Sequence, residues 1–171
     1  MTTLILLSVL GRLPLGQASV SPPSGYRFPT EADYTLNWKQ DRTTTPTPFH
    51  IRADFNGDSV IDNAWILFAS RGTEWGVFVF LGSTQGSPRI VRLDVGDTDN
   101  YPAQSFGLAL AKRGRHLTAC GKGYGHGCGP GEPAVLNLRL PGITFFQFEV
   151  SSSIFWWSHS ANKFERVWTS D

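Results

Sequence analysis

A chain of 171 residues with 17% charged side chains, 13% aromatics, 18 glycines and 11 prolines is too aromatic and too weakly charged for a disordered tail. Gly and Pro interrupt nearly every window of helical length, which argues against a helical bundle. A net charge of +1 without a basic cluster leaves no nucleic-acid footprint. The first element is the apolar run from Thr3 to Leu10, broken by Ser8 and continued through Leu13 and Leu15 to Ala18. An apolar core followed by the small residues Gly16 and Ala18 predicts a secretory signal over 1–18, cut after Ala18. No Lys or Arg precedes the core, and Arg12 and Pro14 interrupt it, so an N-terminal strand or tail is the competing reading. The run falls short of the ~20 apolar residues that span a bilayer, so the chain is not expected to cross a membrane.

Residues 19–48 form an N-terminal segment of loop and short helix. Pro22-Pro23 and Ser24-Gly25 are loop-like, and Thr30-Glu31-Ala32-Asp33 resembles a capping box ahead of Tyr34, Leu36 and Trp38. Pro46 and Pro48, within a threonine-rich stretch, end that helix. Residues 49–171 then read as one β-domain, beginning with a strand over 49–53. The stretch that follows places Asp54, Asn56, Asp58 and Asp62 at positions 1, 3, 5 and 9 of a loop, with the Val60 carbonyl at position 7. Calcium takes six to eight oxygens and favours carboxylates. Three carboxylates this close repel one another until a cation relieves them. The same residues also suit an Asx-turn hairpin that holds no metal. The loop is no EF-hand, because Trp65 stands at position 12 where a bidentate Glu is needed. It resembles the calcium loops of FG-GAP (integrin-type) and VCBS-like repeats, Asp-x-Asp/Asn-x-Asp-Gly-x-x-Asp between strands, in Asp54, Asn56, Asp58 and Asp62. Ser59 departs from that pattern's glycine, and one copy stands where those families string several. The resemblance implies a bound Ca2+.

Further strands are expected over 64–69, 76–81, 89–95, 106–111, 116–120, 135–140, 143–150, 153–157 and 164–168. Turn signals such as Arg71-Gly72, Arg113-Gly114 and Pro141-Gly142 separate them. The spacing predicts an all-β fold, an antiparallel meander closed as a sandwich or open barrel. Trp65-Ile66-Leu67-Phe68 and Val77 to Leu81 are apolar without alternation, the pattern of strands covered on both faces. A second acidic stretch, with Asp94, Asp97 and Asp99, reads as a polar loop that lends the first at most one ligand. Cys120 and Cys128 flank four glycines, flexible enough to close a disulfide in an oxidising compartment. The alternative, a metal site from Cys120, His126 and Cys128, lacks a fourth ligand nearby and the usual Cys-x-x-Cys spacing. The segments 53–67, 119–133 and 145–171 are together similar to a group of small exported bacterial proteins, which implies export and a bacterial source and no reaction.

No Gly-x-Ser-x-Gly or His-Glu-x-x-His occurs. Ser160-Ala161-Asn162-Lys163 matches Ser-x-x-Lys but sits in a hairpin turn. A calcium-braced binding module, periplasmic or secreted, is therefore expected ahead of a hydrolase with an unrecognised site. Its partner is a protein, such as a toxin or hydrolase that it blocks, or alternatively a glycan. Lys122, Tyr124 and His126 project from the stapled loop toward such a partner. Trp156, Trp157 and Tyr124 offer flat faces to a sugar.

Overall fold

The computed structural model describes residues 20–125 and 127–170, so the leader expected over 1–18 and the side chain of His126 lie outside it. Among the described residues the chain forms an antiparallel β-sandwich with a hairpin packed on one outer face. The first sheet contains β1 (Tyr26–Arg27), β2 (His50–Ala53), β3 (Asp62–Ala69), β4 (Glu74–Leu81) and β5 (Arg89–Asp97). Strands β3, β4 and β5 follow one another as a meander, while β1 and β2 share the other edge of β3 end to end. The second sheet is ordered β11-β10-β9-β6, from β6 (Phe106–Ala111), β9 (Gly142–Gln147), β10 (Ser151–Ser158) and β11 (Lys163–Ser170). Between β6 and β9 the chain leaves to form a separate hairpin, β7 (Gly114–Leu117) with β8 (Val135–Leu138).

The unbroken apolar runs are explained by this layering. On β3 and β4, Ala64, Ile66, Phe68, Trp75, Val77 and Val79 enter the inter-sheet core, together with Phe145 and Phe155 of the second sheet. Their neighbours Leu67, Phe78 and Phe80 face outward and are covered by Val20, Tyr26 and Phe28 of the N-terminal segment. The second sheet is covered likewise, since Leu136 and Leu138 of β8 pack on Ile154 and Val167. Each side chain withdrawn this way contributes roughly 1.5–3 kcal/mol, so both outer layers hold the sandwich together.

Three local expectations need correction. Residues 19–48 carry the two-residue strand β1, which the Pro22-Pro23-Ser24-Gly25 loop signal conceals. The single expected helix is split into a 3-10 turn, Glu31–Asp33, and α1, Leu36–Gln40, with Leu36 at φ 49 after the break. Asp33 closes the first turn by accepting from the Thr30 amide at 2.7 Å and hydroxyl at 2.8 Å. Trp38 of α1 is wholly buried and donates its indole N–H to the Phe106 carbonyl at 2.7 Å, which fastens this segment to the main core. Finally, the strand expected over 116–120 ends at Leu117. There Thr118 turns the chain, its hydroxyl donating to the Pro133 carbonyl and accepting from the Gly121 amide, and a 3-10 turn follows at Cys120–Lys122.

Candidate functional site

The sandwich has two ends, and the two acidic stretches singled out in the sequence divide between them. The 54–62 loop joins β2 to β3 at one end. Gly57 lies at φ 80 and Ser59 at φ 68, both left-handed, so the backbone turns sharply twice within the loop. Asp54 accepts from the amides of Gly57 at 2.6 Å and Ser59 at 3.0 Å. Asn56 accepts from the Asp58 amide at 3.1 Å, and Asp58 from the Val60 amide at 2.8 Å and the Asn56 side chain at 2.9 Å. Asp62 is completely buried and ties the loop to the end of β4, accepting from the Phe55 and Gly82 amides, each at 2.8 Å. Burial raises the Asp62 carboxyl to about 6; the Gly82 and Phe55 amides oppose the shift, and the charges of Asp58 and Asp54 add to it.

The donor set is therefore all hard oxygen, with three carboxylates near enough to repel, which suits calcium in kind. Its arrangement is less open. Each carboxylate is engaged by loop donors, and among the described residues no three His, Cys, Asp or Glu side chains assemble into a metal-holding group. The second acidic stretch lends nothing here. Asp94 and Asp97 lie toward the far end of β5, opposite Val77 and Glu74 of β4, whereas the loop adjoins Leu81 and Gly82. The separation is roughly 20 Å at about 3.3 Å per strand residue.

The other proposed contact residues are scattered. Trp156 and Trp157 face opposite sides of β10 and form no common platform: Trp156 packs under the β7–β8 hairpin, and Trp157 packs on Phe164 beneath the Arg89 guanidinium. Cys120 and Cys128 are disulfide-bonded with Cα atoms 4.7 Å apart. The loop they close is exposed at Tyr124, while Lys122 donates to the Thr169 carbonyl at 2.7 Å and the Ala119 amide to the Trp168 carbonyl at 2.8 Å. His50 stacks on Trp65 with ring centres 3.7 Å apart and bonds to Asn63, and burial lowers its pKa. His116 meets the Lys112 carbonyl at 2.7 Å.

A site that sequence reading did not find lies at the opposite end of the sandwich. A cleft of about 230 Å³ opens there between the sheets. Its inner walls are Trp75, Phe106 and Phe145, with Phe106 and Phe145 stacked at 5.3 Å and Trp75 at 4.8 Å from Phe106. At its mouth stand Tyr101, 58% exposed, and Trp168, 44% exposed. Arg166 crosses the opening from β11 to β5, donating to Asp94 at 2.8 Å and to the Ser153 hydroxyl at 2.9 Å. Its guanidinium also lies 4.2 Å from the Trp168 ring centre and 4.9 Å from that of Phe155, which fixes the Trp168 ring from one face. Gln147 and Ser151 add polar side chains to the lining. Aromatic walls with a few convergent polar groups are the general character of small-molecule sites.

No family model matches the chain, and neither a curated protein nor a solved structure is similar to it. The likeness to FG-GAP and VCBS-like loops thus rests on the residues of the 54–62 loop themselves.

Proposed function

We propose that this chain is a non-catalytic binding module whose recognition site is the cleft between Tyr101 and Trp168. The observation that carries this reading is the meeting of five aromatic side chains with the Arg166–Asp94 ion pair around one opening. The disulfide supports export to an oxidising compartment, periplasmic or extracellular. At the far end, Asp54, Asn56, Asp58, the Val60 carbonyl and Asp62 would hold Ca2+, whose part is to neutralise the loop's charge and brace it. The stapled loop is the weaker candidate for partner contact, because Lys122 is already bonded to the Thr169 carbonyl.

The reading is tested by screening ring-containing fragments against the chain while following its six indole N–H signals by NMR. Hits are expected to shift Trp75 and Trp168 and leave Trp156 and Trp157 in place. Hits that instead move the Trp156 or Trp157 signals would overturn it. So would a stoichiometric protein partner from a periplasmic extract that engages the 120–128 loop and leaves the cleft signals unmoved, and that result would favour an inhibitor.

A further inference from the structure

We infer that the cleft is a carbohydrate site, holding one sugar ring between the sheets and leading the next unit out along the strand edge. The inference rests on the cleft being the recognition site and adds the class of its occupant. Size comes first: about 230 Å³ lies below the ~300–1,000 Å³ of drug-sized sites and suits a single six-membered ring. The inner wall is aromatic, Phe106 and Phe145 stacked on each other at 16°, and the ring surface exposed at the mouth belongs to Tyr101 and Trp168; aromatic faces are electron-rich surfaces that attract the C–H groups of a sugar.

The polar groups narrow the class. Arg166 commits Nε to Ser153 and one Nη1 proton to Asp94, which leaves further guanidinium protons out of the five it carries. Asp94 accepts from Arg166 on one oxygen and from the Val95 amide on the other, and each oxygen retains a lone pair. Donors and acceptors thus lie side by side, the complement of neighbouring hydroxyls, each of which both donates and accepts. The ion pair is internally neutral, so no uncompensated charge calls for an ionic ligand. A purely apolar ring would strip water from Arg166, Asp94 and Gln147 without replacing its hydrogen bonds, which is unfavourable.

The cleft also does not end at one ring. Val95 and Gly96 line it on one side and a shallower depression on the other, where Arg71, Thr73, Glu74 and Asp97 stand. Gly96 forms a low saddle between the two, with the Trp75 indole packed where a Cβ would be. A ligand with more than one unit therefore has a polar path out of the aromatic cleft.

The test uses the full chain on an array of neutral and acidic hexopyranosyl oligosaccharides, followed by titration with a trisaccharide hit and the methyl glycoside of its terminal sugar. The trisaccharide is expected to bind at least ~10-fold more tightly than the methyl glycoside. Trp168→Ala and Gln147→Ala, at partly exposed positions, should each weaken both by about tenfold at unchanged Tm, the size of a removed stacking or hydrogen-bonding anchor. Arg71→Ala should erase the trisaccharide's advantage and leave the methyl glycoside's Kd as it was. If indole or p-cresol moves the Trp75 and Trp168 signals and no saccharide binds, the sugar assignment fails while the cleft stands as the recognition site. If neither sugars nor aromatic rings move those signals, both fail. Saccharide binding that survives Trp168→Ala and Gln147→Ala overturns the location.

Discussion

Ser59 occupies a left-handed position at φ 68, a conformation that costs an L-residue roughly 1–2 kcal/mol. Glycine would remove that cost and lose part of the gain to its freedom in the unfolded chain. Ser59→Gly is therefore expected to stabilise the protein by about 0.5–1 kcal/mol, read as a higher Tm in a thermal melt. Unchanged or lower stability would mean that Ser59 is held by more than its turn. Asp33 presents a second residue-scale case. Its bidentate partner Arg27, at 2.7 and 2.9 Å, draws its carboxyl down to about 2. Because the folded pKa lies below the ordinary 3.8, the contribution is complete above about pH 4 and is lost as pH falls through 2. The Arg27 side chain is 43% exposed, so solvent screening limits the pair to about 1 kcal/mol. Urea unfolding of Arg27→Gln should show that deficit at pH 7 and a much smaller one at pH 2.5. An equal gap at both values would show that Arg27 acts through its packing over the Phe68 ring and not through its charge.

At the scale of elements, the stapled loop links packing to the candidate site. The 120–128 disulfide closes a short loop; the amide of Ala119, just before it, and the ammonium of Lys122 within it grip the carbonyls of Trp168 and Thr169. Closing a loop of this length stabilises by about 2–3 kcal/mol in the chain-entropy model. Reduction should lower stability by that order and weaken ligand binding at Trp168 at temperatures where the chain remains folded. Loss of stability with binding intact would confine the staple to a structural role. The strands themselves were legible, because runs such as Val77 to Leu81 admit no other element between their turn signals. What covers the outward half of those runs was not, since Val20, Tyr26 and Phe28 sit in a Pro- and Gly-rich stretch that reads as loop. The 54–62 loop was visible because its residues are contiguous. The cleft was invisible for the opposite reason: Trp75, Asp94, Tyr101, Phe106, Phe145 and Arg166 come from separate segments, and only the register of two sheets assembles them. Its one local hint, a pair of aromatics flanking Arg166 on β11, looks like ordinary alternation.

For the molecule as a whole, placing the loop at one end of the sandwich and the cleft at the other makes two functions separable. The strands between them are rigid and densely packed, with Ile66, Val77, Val79 and Ile143 wholly buried, and the ends share no side chain. Sites more than ~7–10 Å apart without shared partners add within about 0.5 kcal/mol, and these stand roughly 20 Å apart along β5. If the loop holds calcium, chelation should lower Tm, and Asp54→Ala with Asp58→Ala should abolish that sensitivity. Across the same treatments the Kd of a cleft ligand should change less than about twofold, and the ligand should raise Tm by the amount that mass action sets for its concentration, with or without the ion. Identical melts with and without chelator would leave the loop as an Asx-turned hairpin closed by its own amides. A cleft affinity that falls together with the calcium would instead show that the two ends are one cooperative unit, and that the strands between them transmit what happens at Asp62 to Arg166.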